Sequence, residues 1–311
     1  MALNAKRPLS FGIKTSQAGI SYQDIRSIWL EADEIPLFEH AWLWDHMVPL
    51  RGDVRGPALE AWTLLSALAA QSRRLRLGVV LTSNRLRPPT VLAKMAATTD
   101  IISGGRLILG IGAGGFRVAD PAGMELVQRE FGAYGIDIVS PAEAIGALGE
   151  ACTIIRRMWT ETEPFDYEGR FYHLKGAVCE PKPQQKPGPP ILIGAAGEKL
   201  GLRVVAEHAD TWLLPAATAD EFRRKSQILD DHCHAIGRDP DEIVRATQLL
   251  VASDGAADAR RLILEFISAG CTQFVLAPRP PYSSPPAAWL AHEVIEPVLA
   301  ETASWTAARG G

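Results

Sequence analysis

Eight short apolar runs, each followed by a helix-like segment, recur along nearly the whole chain. They are Leu9–Ile13, His40–Trp44, Leu75–Leu81, Leu107–Ile111, Pro190–Ile193, Thr211–Leu214, Val244–Val251 and Thr272–Leu276. Strands that alternate with helices pair in parallel and carry the helices on their faces. Eight such units in 311 residues predict an α/β fold, a closed (β/α)8 TIM barrel with its chemistry at the C-terminal ends of the strands. A chain of this length buries about 75% of its unfolded surface, which suits a single barrel domain over residues 1–311. The residues just after each run are therefore the ones to read for function.

Charge and cysteine usage exclude several classes. The net charge of −4 offers no basic face for nucleic acid or an anionic membrane. Cys152, Cys179, Cys233 and Cys271 are widely spaced, so neither a disulfide framework nor a metal site is indicated, and reduced thiols are expected. No signal-peptide pattern precedes Phe11, and no apolar run approaches the roughly 18 residues of a membrane span. The expectation is a cytoplasmic protein with a small-molecule substrate.

Helix signals fall between the runs. Ser140-Pro141-Ala142-Glu143 is a capping box with proline at the first helical position. It is followed by a stripe of Ile145, Leu148, Cys152, Ile155 and Trp159 at steps of three and four. Thr218-Ala219-Asp220-Glu221 reads as a second capping box, and Ser21 with Asp24 as a weaker cap. Two stretches break the rhythm. Residues 115–139, after the fourth strand, and 160–189, before the fifth, are long enough to be insertions that roof a pocket. The second contains a hairpin-like Tyr167-Glu168-Gly169-Arg170-Phe171-Tyr172.

Three strand ends carry candidate chemistry. Gly110-Ile111-Gly112-Ala113-Gly114-Gly115 contains the letters of a dinucleotide fingerprint. It follows the fourth strand rather than the first, and Pro121 and Gly123 follow it instead of a clean helix start. Close approach of a ligand to backbone, an outward swing of the chain, or packing alone account for the glycines better. Ile193-Gly194-Ala195-Ala196-Gly197-Glu198 opens a helix and reads either as a phosphate cradle or as a plain helix start. Asp45-His46 ends the second strand after Trp42 and Trp44. The imidazole there is a proton donor or acceptor, or simply a partner for loop backbone. No spacing suggests a metal site or a Ser/His/Asp hydrolase.

Read in order, these stretches resemble the luciferase-like monooxygenase superfamily, in particular its coenzyme F420-dependent branch. The stretches are Trp44-Asp45-His46, Leu75–Thr82, Asn84–Lys94, Leu92–Asp100, Ser103–Gly114, Tyr134-Gly135-Ile136, Ile154–Trp159, Tyr167–Tyr172 and Pro189–Gly197. The resemblance covers residues 9–277. It implies a flavin-like ring in the barrel mouth beside Asp45, Val80, Leu81, Thr82 and Asn84, with a non-proline cis peptide between Val80 and Leu81. It also implies that Gly112, Ala113 and Gly114 approach the cofactor and that Ala195, Ala196 and Gly197 hold its phosphate. His46 corresponds to a histidine that supports proton transfer. Related dehydrogenases carry a tryptophan and a glutamate where this chain has Leu50 and Gly115.

The activity so implied is an F420-dependent oxidoreductase. It transfers a hydride between the deazaflavin and a small imine, enone, ketone or alcohol, with the cofactor carrying the hard chemistry. His46 is the candidate catalytic acid or base, and Asp45 positions either it or the ring. Arg51, Arg85, Arg87 and Arg117 are candidates to line the mouth and attract an anionic tail. The residues leave two alternatives open: an FMN-dependent monooxygenase using O2, and a non-catalytic flavin-binding protein. A homodimer and a flavin or deazaflavin reductase are the partners the resemblance suggests.

Overall fold

A computed structural model describes residues 7–50, 52–114, 121–215, 217–280 and 285–307. The first half of the barrel comprises β1 (Ser10–Lys14), α1 (Tyr22–Glu34), β2 (His40–Leu43), α2 (Ala61–Ala69), β3 (Arg76–Val79), β4 (Thr82–Ser83), α3 (Pro89–Ile102) and β5 (Leu107–Gly112). Next come α4 (Pro121–Glu130), α5 (Pro141–Thr160) and a hairpin of β6 (Phe165–Glu168) and β7 (His173–Ala177). The second half comprises β8 (Ile191–Gly194), α6 (Gly201–His208), β9 (Thr211–Pro215), α7 (Ala219–Ala235), β10 (Val244–Val251), α8 (Ala256–Ser268) and β11 (Gln273–Pro278). Helices α9 (Pro286–Leu290) and α10 (Glu296–Ala307) close the chain.

The central sheet runs β3-β2-β1-β11-β10-β9-β8-β5-β4, and β3 also pairs with β5, so the sheet closes on itself. All these pairings are parallel. The expected (β/α)8 barrel is present. Its third strand is split: the run Leu75–Leu81 continues as β3 and β4 on either side of a cis peptide between Val80 and Leu81. That bond is where the resemblance placed it.

Alternation along each strand sorts the side chains into two layers. Trp42, Val80, Ile108, Leu192, Leu213, Ala246 and Val275 fill the barrel interior. The opposite faces pack against the helices in a much larger cluster. The interior Trp42 is accommodated by glycine: a β-carbon on Gly78 would lie 2.7 Å from Trp42 Cζ3, and one on Gly12 would overlap the His40 ring. Bulk on one strand is thus matched by its absence on the neighbours, as close packing requires.

The turn before β5 is a fastening at the opposite end of the barrel from the mouth. Gly104 and Gly105 adopt φ of 69° and 83°, which glycine allows without steric cost. Arg106 then donates to the carbonyls of Ala69 (2.8 Å), Ser72 (2.8 Å) and Leu75 (2.7 Å), tying the α2–β3 turn to β5.

Helix starts follow the sequence signals. Ser140 and Glu143 form the reciprocal capping box, and the side chains of Thr218 and Ser21 accept the amides of Glu221 and Asp24. The stripe on α5 is buried at Leu148, Cys152, Ile155 and Trp159. The described part of the first insertion holds α4 and a 3-10 turn at Gly132–Tyr134, and the second carries the antiparallel β6–β7 hairpin. The four cysteines are buried and unpaired. Among the described residues no helix is long and apolar enough to cross a membrane, and no cluster of metal-binding side chains occurs.

Candidate active site

The C-terminal ends of β2, β4, β5 and β8 surround a pocket of about 380 Å³. Its floor is Leu81 with Gly112 and Gly194. One wall holds Asp45, His46, Thr82, Ser83 and Arg85, and another Ala113, Gly114, Ala195 and Ala196. The roof comes from the first insertion and the start of α5: Val127, Glu130, Phe131, Ala144 and Ile145. Nine of the twelve sequence-predicted site residues line this space: Asp45, His46, Leu81, Thr82, Gly112, Ala113, Gly114, Ala195 and Ala196. Val80 belongs to the barrel interior. Asn84 lies buried behind the wall, its amide bonded to Gly112 O (3.0 Å) and its side-chain nitrogen to Tyr172 Oη (3.1 Å). Gly197 sits on the exposed outer part of its turn.

His46 has a partner that sequence reading missed. Its Nδ1 is 2.8 Å from Glu130 Oε2, and Glu130 Oε1 accepts the amide of Met47 at 3.2 Å. Glu130 is almost fully buried, while His46 remains partly open to the mouth. The Trp44 ring lies edge-on to the imidazole with centroids 4.7 Å apart. Position 115, where related dehydrogenases carry a glutamate, lies outside the described residues.

Asp45 is engaged elsewhere. Arg87 grips both its oxygens (2.7 and 3.0 Å), the Ser83 amide donates to it (2.9 Å), and Arg87 also binds Glu60 (2.6 Å). Burial pushes the Asp45 carboxyl up, and the Arg87 guanidinium opposes that shift. Asp45 therefore fastens β4 to β2; its hydrogen bonds go to Arg87 and Ser83, not to His46. Arg87, expected at the mouth, is consumed in this buried network. Arg85 does line the pocket, with its guanidinium 4.6 Å above the Phe131 ring. Arg51 and Arg117 lie outside the described residues.

Two glycines of β5, Gly110 and Gly112, have packing causes. A β-carbon on Gly110 would lie 2.1 Å from Val79 O, and one on Gly112 would lie 3.2 Å from Leu81 Cδ1. Gly114 turns the chain with φ of 69°. The run ends a strand of a closed parallel barrel, not the first strand of an open doubly wound sheet, so the dinucleotide reading fails and close packing of β5 against the split strand replaces it.

The turn after β8 is held from outside. Trp212 Nε1 donates to Ala195 O (2.9 Å) and Lys225 Nζ to Ala196 O (2.8 Å), while His232 Nε2 lies 2.8 Å from Glu198 O. Glu198, which would repel an anion from inside, points away to Arg224 (2.7 Å). Among the described residues the amides of Ala196, Gly197 and Glu198 donate to no backbone carbonyl, and α6 begins without a side-chain cap. A β-carbon on Gly197 would meet nothing nearer than 3.9 Å. Outward-held carbonyls, spare amides and an uncapped helix start suit an anion.

The sequence model of one family, described as luciferase-like monooxygenase, matches residues 9–302. The chain belongs to that family. Curated relatives include a phthiodiolone/phenolphthiodiolone dimycocerosates ketoreductase of Mycobacterium sp. (strain JLS), 31% identical over 204 residues that make up 64% of this chain and 50% of that protein. An F420-dependent glucose-6-phosphate dehydrogenase of Microbacterium testaceum (strain StLB037) is 30% identical over 239 residues, 76% of this chain and 66% of that one. The chain thus spans half to about two thirds of the curated relatives it matches. Among solved structures, an F420-dependent secondary alcohol dehydrogenase in complex with an F420-acetone adduct shares the fold with a TM-score of 0.76 at 17% identity. That match covers 88% of this chain and 94% of the other.

Proposed function

We propose that this family member is an F420-dependent oxidoreductase that exchanges a hydride with a small imine, enone, ketone or alcohol. The observation that carries the reading is the mouth pocket, which joins an imidazole on one rim to an anion-ready turn on the other. Its volume is in the range of small-molecule sites, about 300–1,000 Å³. The residues present fit a flat ring with a phosphate: an apolar floor at Leu81 and, on the turn after β8, backbone amides at Ala196 and Gly197. The curated relatives named for F420 support the deazaflavin over FMN.

When bound, the deazaflavin supplies a hydride donor or acceptor. The chain's own residues do the rest. Leu81, Gly112 and Gly114 shape one face of the slot, Val127 and Phe131 shield it from water, and His46 gives or takes the proton that accompanies hydride transfer. A single barrel domain, a cytoplasmic setting, a homodimer and a reductase that recharges the cofactor belong to the same proposal.

Absorbance and fluorescence titration of the purified protein with F420 and with FMN tests it. Binding of F420 at micromolar concentration or below, with FMN weaker, is expected. FMN binding in that range without measurable F420 affinity, together with oxygen consumption, would replace the proposal with the monooxygenase reading. Turnover that His46→Ala abolishes while cofactor binding persists would remove a non-catalytic role.

A further inference from the structure

We infer that Glu130 is the positioning residue for His46: it fixes the imidazole with its proton on Nδ1 and makes Nε2 the nitrogen that exchanges a proton with substrate. This rests on the oxidoreductase reading of the site for its chemical purpose, although not for its geometry. Both oxygens of Glu130 are directed at one corner of the chain, Oε2 at His46 Nδ1 (2.8 Å) and Oε1 at the Met47 amide (3.2 Å). The side chain is 5% exposed, and a carboxylate so enclosed is costly unless paired. An ionised carboxylate only accepts, so the imidazole donates from Nδ1. The hydrogen bond at one ring nitrogen sets the role of the other.

The two residues that precede His46 in sequence leave this task to Glu130. Asp45, adjacent in sequence, has both oxygens taken by Arg87 and one also by the Ser83 amide. Trp44 touches the imidazole only edge-on. Glu130 is the last residue of α4, and the segment after it docks on the same corner, with Tyr134 Oη donating to Met47 O (3.4 Å) and Phe131 lying under Arg85. The helix that roofs the pocket therefore also delivers the carboxylate, and His46 is oriented only where that helix lies over the mouth.

The chemistry balances in either direction. In alcohol oxidation the C–H bond breaks with its electron pair leaving as hydride to the cofactor, the O–H bond breaks with its proton going to His46 Nε2, and a C=O bond forms. The imidazolium so produced faces the Glu130 carboxylate, which stabilises it. Carbonyl reduction runs the same steps backward.

The test uses 15N-histidine-labelled full-length protein without cofactor, with His46→Asn assigning the His46 signals. Nitrogen chemical shifts should show Nδ1 protonated, and Glu130→Gln should change the His46 tautomer pattern while the other histidine signals stay in place. A His46 ring protonated mainly on Nε2 in the unaltered protein would overturn the inference without any variant having to fold. On the active enzyme, E130Q should lower kcat by about 10- to 1,000-fold, part of what general acid–base catalysis supplies, with KM changed less than about threefold. A raised KM with kcat unchanged would also overturn it. Failure of F420 to bind would defeat the proposed function and leave the tautomer result standing.

Discussion

The side chain of Leu81 occupies the space a β-carbon on Gly194 would need, with its Cδ1 only 2.0 Å from that point. Gly112 flanks the same leucine, its own β-carbon position 3.2 Å from Cδ1. The glycines at the ends of β5 and β8 are thus the complement of one residue on the split third strand. Gly194→Ala should destabilise the protein by about 1–3 kcal/mol through overpacking, and Leu81→Ala in the same chain should recover part of the loss. Urea denaturation of the two single variants and the double variant measures this coupling. Strict additivity would separate the two positions.

Removing the partner of Asp45 should be more severe. Arg87→Met leaves a buried carboxylate facing only the Ser83 amide, and breaking a buried pair in this way costs about 3–5 kcal/mol. Asp45→Asn combined with Arg87→Met should restore much of that stability in chemical denaturation. A double variant no better than R87M would mean that packing of the Arg87 stem, not charge compensation, is what counts.

At the outer turn, Gly197→Asp introduces a charge where no protein atom stands in the way. The melting temperature should stay within about 2 °C of the parent, since exposed substitutions usually change stability by less than about 0.5 kcal/mol. Affinity for F420 should fall at least about tenfold, because a carboxylate replaces open space beside the amides meant for phosphate. Unaltered affinity would make this turn a plain helix start.

Most of the barrel is legible because its strands are apolar and its helices carry caps. The break in the third strand is not legible from composition: Val80 and Leu81 are as apolar as their neighbours, and only resemblance marked the bond between them. Asp45 and His46 are adjacent in sequence, yet successive residues at a strand end face opposite ways. One turns to Arg87, 42 residues on, and the other to Glu130, 84 residues on. Neither pairing has a local signature. Glu130 sits on an insertion whose helix looks like any amphipathic surface helix until it is seen to cover the mouth.

Acid should act on the barrel interior through His40. Burial pushes its imidazole down to about 3 from the ordinary 6.5, and its Nδ1 accepts from Trp42 Nε1 at 2.5 Å. Between those two values the unfolded chain binds a proton that the folded one does not, so stability falls as pH drops from about 6.5 toward 3. His40→Gln should flatten that part of the pH–stability curve measured by denaturation. A parallel decline in the variant would assign the acid lability to other groups.

Lys14 gives the opposite end of the scale. Burial lowers its ammonium to about 8, and its Nζ donates to Gln248 Oε1 at 2.8 Å. Above about 8 the folded chain sheds this proton before the unfolded chain does, so the penalty for burying the charge fades as pH rises toward 10.5. Lys14→Met should therefore be more stable than the parent at pH 7, by on the order of 2 kcal/mol, and the advantage should shrink steadily in alkali. An advantage independent of pH would point to improved packing alone.

The carbonyls of Ala195, Ala196 and Glu198 are each met by a side chain from β9 or α7. Residence time of a bound cofactor is thereby exposed to mutation at places that never touch it. Lys225 and His232 lie behind the cradle, and loosening either releases the backbone that the ligand reads. An effort to retune cofactor choice by redesigning only the visible lining would leave that hidden adjustment unused, and drift on the outer helix could alter binding while the pocket's residue list stayed the same.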